Sequence, residues 1–277
     1  MTAAAGGALP ELRIVELAAV TPHEDFDNRR IVTLAERLVR EGVLKDPPIV
    51  APIGDGRYVV LDGANRTSAL KHLGFRDALV QIVDYTSVVL ATWHHLVVGL
   101  SADTIRNDLA DVPGLLVDAT NLPAAQAALS ARDAVAYAQF ADGAVVTLHG
   151  GTDLVARADL LRRVVSVYNG RADIHRILAL DMASLEGHFE DVGALLVFPT
   201  FGPDDILTLV RGGGALPSGI SRHVIPGRAL RVNFSMALLA DEAPREDKNR
   251  HLGEWIRRKR QANQIRSYEE ATVLYDE

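Results

Sequence analysis

Cysteine is absent from the 277-residue sequence, which excludes disulfide bonds, thiolate metal sites and cysteine nucleophiles. This absence leaves the redox compartment open. Aromatic residues make up only 5% of the chain, but hydrophobic residues together reach 48%, enough for a substantial core. No apolar run approaches the ~18 residues that a membrane-spanning helix needs. The composition therefore predicts a folded protein without membrane spans, with one large domain or two ordinary ones.

Basic residues are fewer than acidic residues in this sequence. The formal net charge is −7 at pH 7, and an acidic chain is a poor default binder of DNA, whose phosphates attract a basic face. Residues 1–10 lack the basic start and long apolar core of a signal peptide, so we interpret them as an unstructured end. These features predict a cytoplasmic protein for which nucleic acid is not an expected partner.

The stretch from Tyr58 to Gly74 has the pattern of a strand, a tight turn and a helix. A short apolar, β-rich run ends at Leu61, Asp62-Gly63 interrupts it, and Gly74 is suited to end the helix. A helix that begins directly after a glycine presents free backbone N–H groups and the positive end of its dipole. This arrangement is a site for a phosphate.

Two side chains extend the phosphate interpretation. Arg66 lies in the first turn of the predicted helix, where its guanidinium can grip the same phosphate through two hydrogen bonds. Asp62 ends the strand and can hold Mg²⁺ or orient a hydroxyl. From the residues alone an alternative stays open, in which Asp62 merely caps the helix and Arg66 lies in solvent.

Residues 1–85 alternate strand and helix signals and predict a compact α+β domain. Strands are expected at 12–17, 49–53, 58–61 and 78–85. A helix with an apolar stripe from Ile31 to Leu38 is expected between the first two of these strands, with Asp27 as its N-cap and Gly42 at its end.

Residues 86–277 mix helix and strand signals and predict a second, α/β domain. Asp142-Gly143 is the strongest hairpin signal in the chain, and a strand or strand pair is expected at 88–98. From about residue 245 the chain reads as a polar helical tail that contains Arg257-Arg258-Lys259-Arg260. We interpret that basic run as a solvated face or as the inter-subunit face of a homodimer.

Residues 9–85 resemble the ParB/sulfiredoxin superfamily, whose small α+β domain has a phosphate-binding turn that ends in arginine before a helix. That turn is Gly63-Ala64-Asn65-Arg66 here, and the lack of cysteine excludes sulfiredoxin chemistry. Within the superfamily the chain is similar to the free L-serine kinases, including those of siderophore biosynthesis. Pro22-His23-Glu24 matches their Pro-His-Glu, and Asp62 with the turn matches their Asp-Gly-x-x-Arg.

The likeness extends into the second half of the chain, at Thr92-Trp93-His94 and at Gly219-Ile220-Ser221-Arg222-His223. One departure is that Ala64 and Asn65 stand where the resemblance leads us to expect histidines. This departure affects a contact to the nucleotide or the substrate, and it leaves open a relative with a different amino-acid or small-alcohol acceptor.

The resemblance implies a kinase that uses ATP or ADP, with Mg²⁺, to phosphorylate the hydroxyl of free L-serine or a close analogue. It implies that Glu24 is the catalytic base and that Asp62 acts in catalysis and as the metal ligand. The nucleotide would be held by Gly63, Ala64, Asn65, Arg66 and Thr67. The acceptor, bound between the two halves, would be contacted by His23, Trp93, His94, Ser221, Arg222 and His223.

Without the resemblance, Glu24 could equally be an exposed loop acid and the Trp-His pair partly buried packing. The alternative function is a ParB-like nucleotide-binding transcriptional regulator that binds DNA, which the shared fold and the basic run favour. The net acidity and the lack of a convincing helix-turn-helix oppose it. A degenerate nucleotide-binding module is a third possibility, but such a module needs neither Glu24 nor Asp62.

Overall fold

The computed structural model describes residues 9–26, 28–185 and 187–267. The predictions for the first eight residues, for Asp27 as a helix cap and for the last ten residues lie outside this range. The elements of the first part are, in order, β1 (Glu11–Glu16), β2 (Val20–Pro22), α1 (Asn28–Glu41), β3 (Val43–Leu44), β4 (Ile49–Gly54), β5 (Arg57–Asp62), α2 (Ala64–His72) and β6 (Asp77–Ile82).

The sheet of the first part has the strand order β1-β6-β4-β5-β2. Strands β4 and β5, near the strands predicted at 49–53 and 58–61, form an antiparallel hairpin, whereas β2 pairs with β5 in parallel, with Pro22 opposite Val60. Parallel strands end at the same edge of a sheet. Because β2 ends directly before His23 and β5 ends at Asp62, this pairing brings the Pro-His-Glu motif beside the phosphate turn.

Helix α1 packs against α2, and its predicted apolar stripe is buried at Ile31, Ala35 and Leu38. The predicted strand, turn and helix after Tyr58 are present. Helix α2 begins directly after Gly63 and its last turn closes at Leu73 and Gly74, the latter with a φ of +76°. The local pattern in this stretch was therefore sufficient to define its structure.

The elements of the second part are β7 (Val89–Thr92), β8 (His94–Val98), α3 (Ala102–Ala110), β9 (Leu116–Thr120), α4 (Leu122–Ser130), β10 (Ala136–Phe140), β11 (Val145–His149), α5 (Leu154–Ser166), β12 (Asp173–Ile177), β13 (Val192–Val197), α6 (Pro203–Arg211), β14 (Ser221–Val224), β15 (Phe234–Ser235), α7 (Met236–Ala240) and α8 (Arg245–Gln261). Most of these strands form an antiparallel sheet with the order β12-β8-β13-β10-β11-β9. None of the helices within the described residues is long and apolar enough to cross a membrane.

The structure refines one sequence expectation in this part and adds one strand that the sequence did not predict. The segment 88–98 is a pair of strands in different sheets: β7 pairs with β14, and β8 lies in the large sheet. Trp93 lies at the break between them. Strand β12 was not expected at all, because this edge strand is mostly exposed and lacks the alternation of a half-buried strand.

The C-terminal segment returns to the first sheet. Strand β15 pairs with β3, and Asn249 of α8 hydrogen-bonds both the N–H and the C=O of Ile14, at 2.9 and 2.8 Å. Phe234 and Leu252 belong to the same hydrophobic core as the first sheet. The division after Tyr85 stays a prediction, because the C-terminal segment shares the hydrophobic core of the first part.

Candidate active site

A cavity of about 970 Å³ lies between the two parts of the chain, large enough for a nucleotide together with a small acceptor. Its walls are the segment after β2, the turn after β5, helix α1 and the loop around β14. Most of the residues predicted for the site line it: His23, Glu24, Asp62, Gly63, Ala64, Asn65, Arg66, Trp93, Ser221, Arg222 and His223. Segments far apart in sequence thus meet at one site.

The turn before α2 requires glycine. Gly63 has a φ of +94°, and a Cβ at this position would lie 2.9 Å from the guanidinium of Arg66 and 3.1 Å from the Cα of Pro48. The first hydrogen bond of α2 is donated by the N–H of Thr67 to the carbonyl of Gly63. The preceding N–H groups of the helix have no helical acceptor, so they are available to an anion.

Two arginines converge on the carboxylate at the end of β5. Asp62 Oδ2 accepts hydrogen bonds from Arg66 at 2.9 Å and from Arg228 at 3.0 Å. Arg66 also donates to the carbonyl of Asp46 at 2.9 Å. These guanidiniums can exchange the carboxylate for a phosphate, because both anions accept the same paired hydrogen bonds.

A magnesium ion fits this arrangement only as an ion bound chiefly through phosphates. No group of three or more Asp, Glu or His side chains is placed to hold a metal within the described residues. Mg²⁺ is commonly bound by one or two carboxylates, water and substrate phosphates. Asp62, whose side chain is 38% exposed in the cavity, can supply such a carboxylate.

Glu24 is held by the loop that leads into β14. Its side chain is only 15% exposed, and its Oε1 accepts hydrogen bonds from the N–H and the hydroxyl of Ser221, at 2.8 and 2.6 Å. Its Oε2 accepts the N–H of Gly219 at 3.1 Å. The loop is in turn fixed to the strand end, since Leu216 exchanges backbone hydrogen bonds with His23 and Asp25. Glu24 is therefore an ordered carboxylate within the cavity wall.

Two histidines lie side by side behind Glu24. The ring of His23 is buried, and its Nδ1 donates to the carbonyl of Val60 while its Nε2 lies 2.6 Å from Ser221 Oγ. The edge of this ring meets His223, whose Nε2 lies 2.9 Å from the hydroxyl of Tyr85. Burial lowers the pKa of His223 to about 3, with further lowering by His23 and Arg228. His223 is therefore neutral at physiological pH.

Trp93 and Arg222 form one wall of the cavity. The guanidinium of Arg222 stacks on the Trp93 ring at 4.6 Å from its centroid. The backbone N–H of Trp93 donates to Ile220, and Ser221 stands opposite Thr92 in the β7–β14 pair. Strand pairing thus holds both side chains at the site.

Two predicted contacts do not reach the cavity. Thr67 is fully buried, and its hydroxyl donates to the carbonyl of Gly63, so it stabilises the turn without lining the cavity. His94 is buried and accepts the N–H of Phe198, and burial lowers its pKa to about 4. Neighbouring residues of a strand point to opposite faces. His95 therefore points the other way and reaches Gly219 O at 3.1 Å.

The sequence reasoning missed several cations of the cavity. Arg176 of β12 lines it beside Gly219, whose φ is +86° and where a Cβ would clash with the Arg176 guanidinium. The guanidinium of Arg176 has no hydrogen-bond or ion-pair partner among the described residues. Further cationic residues line the same cavity: Arg30, Arg37, Arg40, Lys45 and Arg228. No local sequence motif indicates that an arginine in a polar edge strand belongs to a site, so only the strand topology places Arg176 in the cavity.

A comparison with solved structures defines the class of fold. The chain superposes with a TM-score of 0.73 on a free serine kinase in complex with AMP, at 19% identity, covering 84% of this chain and 95% of that one. The predicted α+β fold is therefore confirmed as that of a free serine kinase. No family model matches the chain.

Curated relatives identify the proteins to which the sequence is similar. The ATP-dependent L-serine kinase SbnI of Staphylococcus aureus is 25% identical over 240 residues, which cover 83% of this chain and 85% of SbnI. The ATP-dependent L-serine kinase of Staphylothermus marinus is 36% identical over 89 residues, 31% of this chain and 35% of that protein. The resemblance to free L-serine kinases that the motifs predicted is thus confirmed.

Proposed function

We propose that the protein is a small-molecule kinase that transfers a phosphoryl group from ATP or ADP to the hydroxyl of free L-serine or a close analogue. The observation that carries this proposal is that Glu24 and the turn from Asp62 to Arg66 line one cavity. The relatives similar over most of the chain are named kinases, which favours this function over that of a DNA-binding regulator.

The donor side of the site is the phosphate turn with its arginines. The free N–H groups at the start of α2 bind phosphate oxygens, and Arg66 and Arg228 exchange Asp62 for the same phosphates. The cationic residues of α1 extend this positive wall along the cavity. Mg²⁺, when bound with Asp62 as its carboxylate ligand, neutralises charge on the phosphates.

Glu24 is the base in this proposal. Its Oε1 already accepts two hydrogen bonds, whereas Oε2 accepts one among the described residues, so Oε2 has a lone pair left for the acceptor. The acceptor oxygen forms a bond to the terminal phosphorus while its proton passes to Oε2. The bond between that phosphorus and the leaving nucleotide oxygen breaks, and the negative charge leaves with the nucleotide.

The acceptor side is built around two cations. Arg222 is stacked on Trp93, and Arg176 lies against Gly219, the residue that also donates to Glu24. An amino acid offers a carboxylate that such guanidiniums recognise. Its hydroxyl would then lie near Glu24. Because Ala64 and Asn65 stand where the resemblance leads us to expect histidines, the proposed acceptor includes close analogues of L-serine.

The experiment is to incubate the purified protein with Mg²⁺, ATP or ADP and a panel of amino acids and small alcohols, followed by mass spectrometry. We expect O-phosphoserine, or the phosphate ester of one close analogue, and an equal amount of ADP or AMP. Nucleotide binding without any phosphorylated acceptor would contradict the proposal and favour a module without catalysis. Specific DNA binding at physiological salt would favour the regulator.

A further inference from the structure

Four groups form a continuous hydrogen-bonded chain beneath the proposed base. It runs from the carbonyl of Val60 through the ring of His23 and the hydroxyl of Ser221 to the carboxylate of Glu24. The last two links are both 2.6 Å long, from His23 Nε2 to Ser221 Oγ and from Oγ to Glu24 Oε1. At this length each link must contain a proton, because two unprotonated acceptors would repel each other.

The number of protons in this chain follows from the chemistry of its members. Since a carbonyl only accepts, the proton on Nδ1 of His23 is committed to Val60. The Ser221 hydroxyl has one proton and can fill only one of the two remaining links. A neutral His23 with an ionised Glu24 would therefore leave one link empty. The chain needs one further proton, which resides either on His23 Nε2 or on Glu24.

The surroundings decide which group holds that proton. Glu24 accepts two backbone N–H groups, from Gly219 and Ser221, which stabilise its ionised form. His23 faces this carboxylate with its Nε2 3.9 Å from Oε1, and on its other side it meets His223. His223 is neutral because burial lowers its pKa to about 3, with further lowering by His23 and Arg228. The balance favours an imidazolium beside a carboxylate.

We propose that Ser221 joins His23 and Glu24 into one proton-sharing unit, in which His23 is an imidazolium and Glu24 remains an ionised base. Ser221 is then a positioning residue, because its one hydroxyl proton is donated to Glu24. The resemblance implied instead that Ser221 contacts the acceptor. For catalysis this assignment rests on the kinase function proposed above. In the transfer step the acceptor's O–H bond breaks and an Oε2–H bond forms, while the proton on His23 stays in place.

The test is the ¹⁵N NMR spectrum of the full chain labelled at histidine, recorded at pH 7 without nucleotide or acceptor. An imidazolium has two protonated nitrogens with similar shifts, whereas a neutral ring has one unprotonated nitrogen far downfield. His95 is an internal neutral reference, since burial lowers its pKa to about 4. The His23 signals are assigned by their absence from the spectrum of His23→Gln.

We expect two protonated nitrogens at His23 in the wild-type protein and loss of the Nε2 proton in Ser221→Ala. Ser87→Ala is the matched control, since the Ser87 hydroxyl donates to a carbonyl in an exposed turn. Ser221→Thr keeps the hydroxyl and should restore the imidazolium. A neutral His23 in the wild-type protein, or an imidazolium that persists in Ser221→Ala, would overturn the proposal.

Failure of the spectrum and failure of the proposed function are separable, because the spectra require no turnover. If Ser221→Ala does not fold, the wild-type spectrum and Ser221→Thr still decide the protonation state. An imidazolium in a protein that phosphorylates nothing would leave the unit intact and refute only the kinase. A protein that phosphorylates its acceptor but has a neutral His23 would refute the proton-sharing unit and leave the kinase function intact.

Discussion

At the scale of single residues, the two carboxylate oxygens of Glu24 have different roles. Three hydrogen bonds fix its two oxygens, and these bonds come from the loop at Gly219 and Ser221. The same pattern leaves Oε2 with capacity to accept a proton. A carboxylate that is both ordered and incompletely satisfied is suited to act as a base.

Replacement of this carboxylate should separate binding from chemistry. Glu24→Gln is expected to keep the wild-type affinity for nucleotide and to lower turnover by about 10²- to 10⁴-fold, the usual contribution of a general base. Steady-state kinetics and calorimetry measure the two effects. The control is Glu36→Gln, an exposed acid on α1. Wild-type turnover in Glu24→Gln would remove the residue from the mechanism.

Arg66 acts on the donor side. Its guanidinium packs against Gly63 and pairs with Asp62, so it lies beside the free N–H groups of α2. A hydrogen bond to a charged group is typically worth about 1.5–3 kcal/mol, so Arg66→Ala should weaken ADP binding by about 10- to 100-fold. Isothermal calorimetry tests this against Arg57→Ala, which removes an exposed arginine at the start of β5. Equal affinity in all three proteins would refute the phosphate site.

Arg176 tests the acceptor side. It is an unpaired cation in the cavity among the described residues, and we expect it to bind the carboxylate of the amino acid. Arg176→Met should therefore raise the KM for the acceptor and leave the nucleotide affinity unchanged. Arg171→Met is a control outside the residues that line the cavity, since Arg171 pairs with Asp108 at 2.6 Å. An unchanged KM in Arg176→Met would exclude this role.

At the scale of secondary structure elements, the parallel pairing of β2 with β5 makes the site. The local patterns predicted β5, the turn and α2 correctly, because strand alternation and helix caps are local signals. The pairing is non-local and could be inferred only from the resemblance. Strand β12 and its Arg176 gave no signal in the sequence. The resemblance at Thr92-Trp93-His94 implied a site role for His94, whereas in the structure its buried ring accepts the N–H of Phe198.

The loop before β14 depends on a buried histidine. His95 donates from Nε2 to the carbonyl of Gly219 at 3.1 Å, and its Nδ1 lies 2.9 Å from the hydroxyl of Tyr168. Burial lowers its pKa from 6.5 to about 4, with smaller effects from Arg176 and His94 and a partly opposing hydrogen bond to Gly219. In the unfolded chain the ring takes up a proton near pH 6.5, whereas in the folded protein it does so only near pH 4.

The sign of the pH dependence follows directly. Because the unfolded state binds more protons between these values, the free energy of unfolding should fall as pH drops from 6.5 towards 4. The contribution of His95 is roughly 1.4 kcal/mol for each pH unit. His95→Gln, which can keep the donor to Gly219, should lose this contribution, whereas His72→Gln at the exposed end of α2 should retain it. Denaturant unfolding at several pH values measures the difference, and parallel curves for all three proteins would contradict it.

At the scale of the whole molecule, buried ion pairs join the C-terminal helix α8 to the first sheet. Asp77 of β6 is buried and bonded by Lys248 at 2.8 Å and Arg245 at 2.9 Å, which attaches helix α8 to the first sheet. These two cations lower the pKa of Asp77 although burial alone would raise it. Such long-range ion pairs have no signature in a single sequence, and the division into two domains stays a prediction. The homodimer and the cytoplasmic location stay predictions.

The central claim is that one cavity transfers a phosphoryl group between a nucleotide and a small hydroxyl compound. The most direct test supplies ATP labelled in its γ-phosphate, L-serine and Mg²⁺, and follows the label in the products. The account predicts that the label appears in O-phosphoserine in a one-to-one ratio with the ADP formed. Label that appears only in inorganic phosphate, or that never leaves ATP, would contradict it for L-serine and ATP as the substrates.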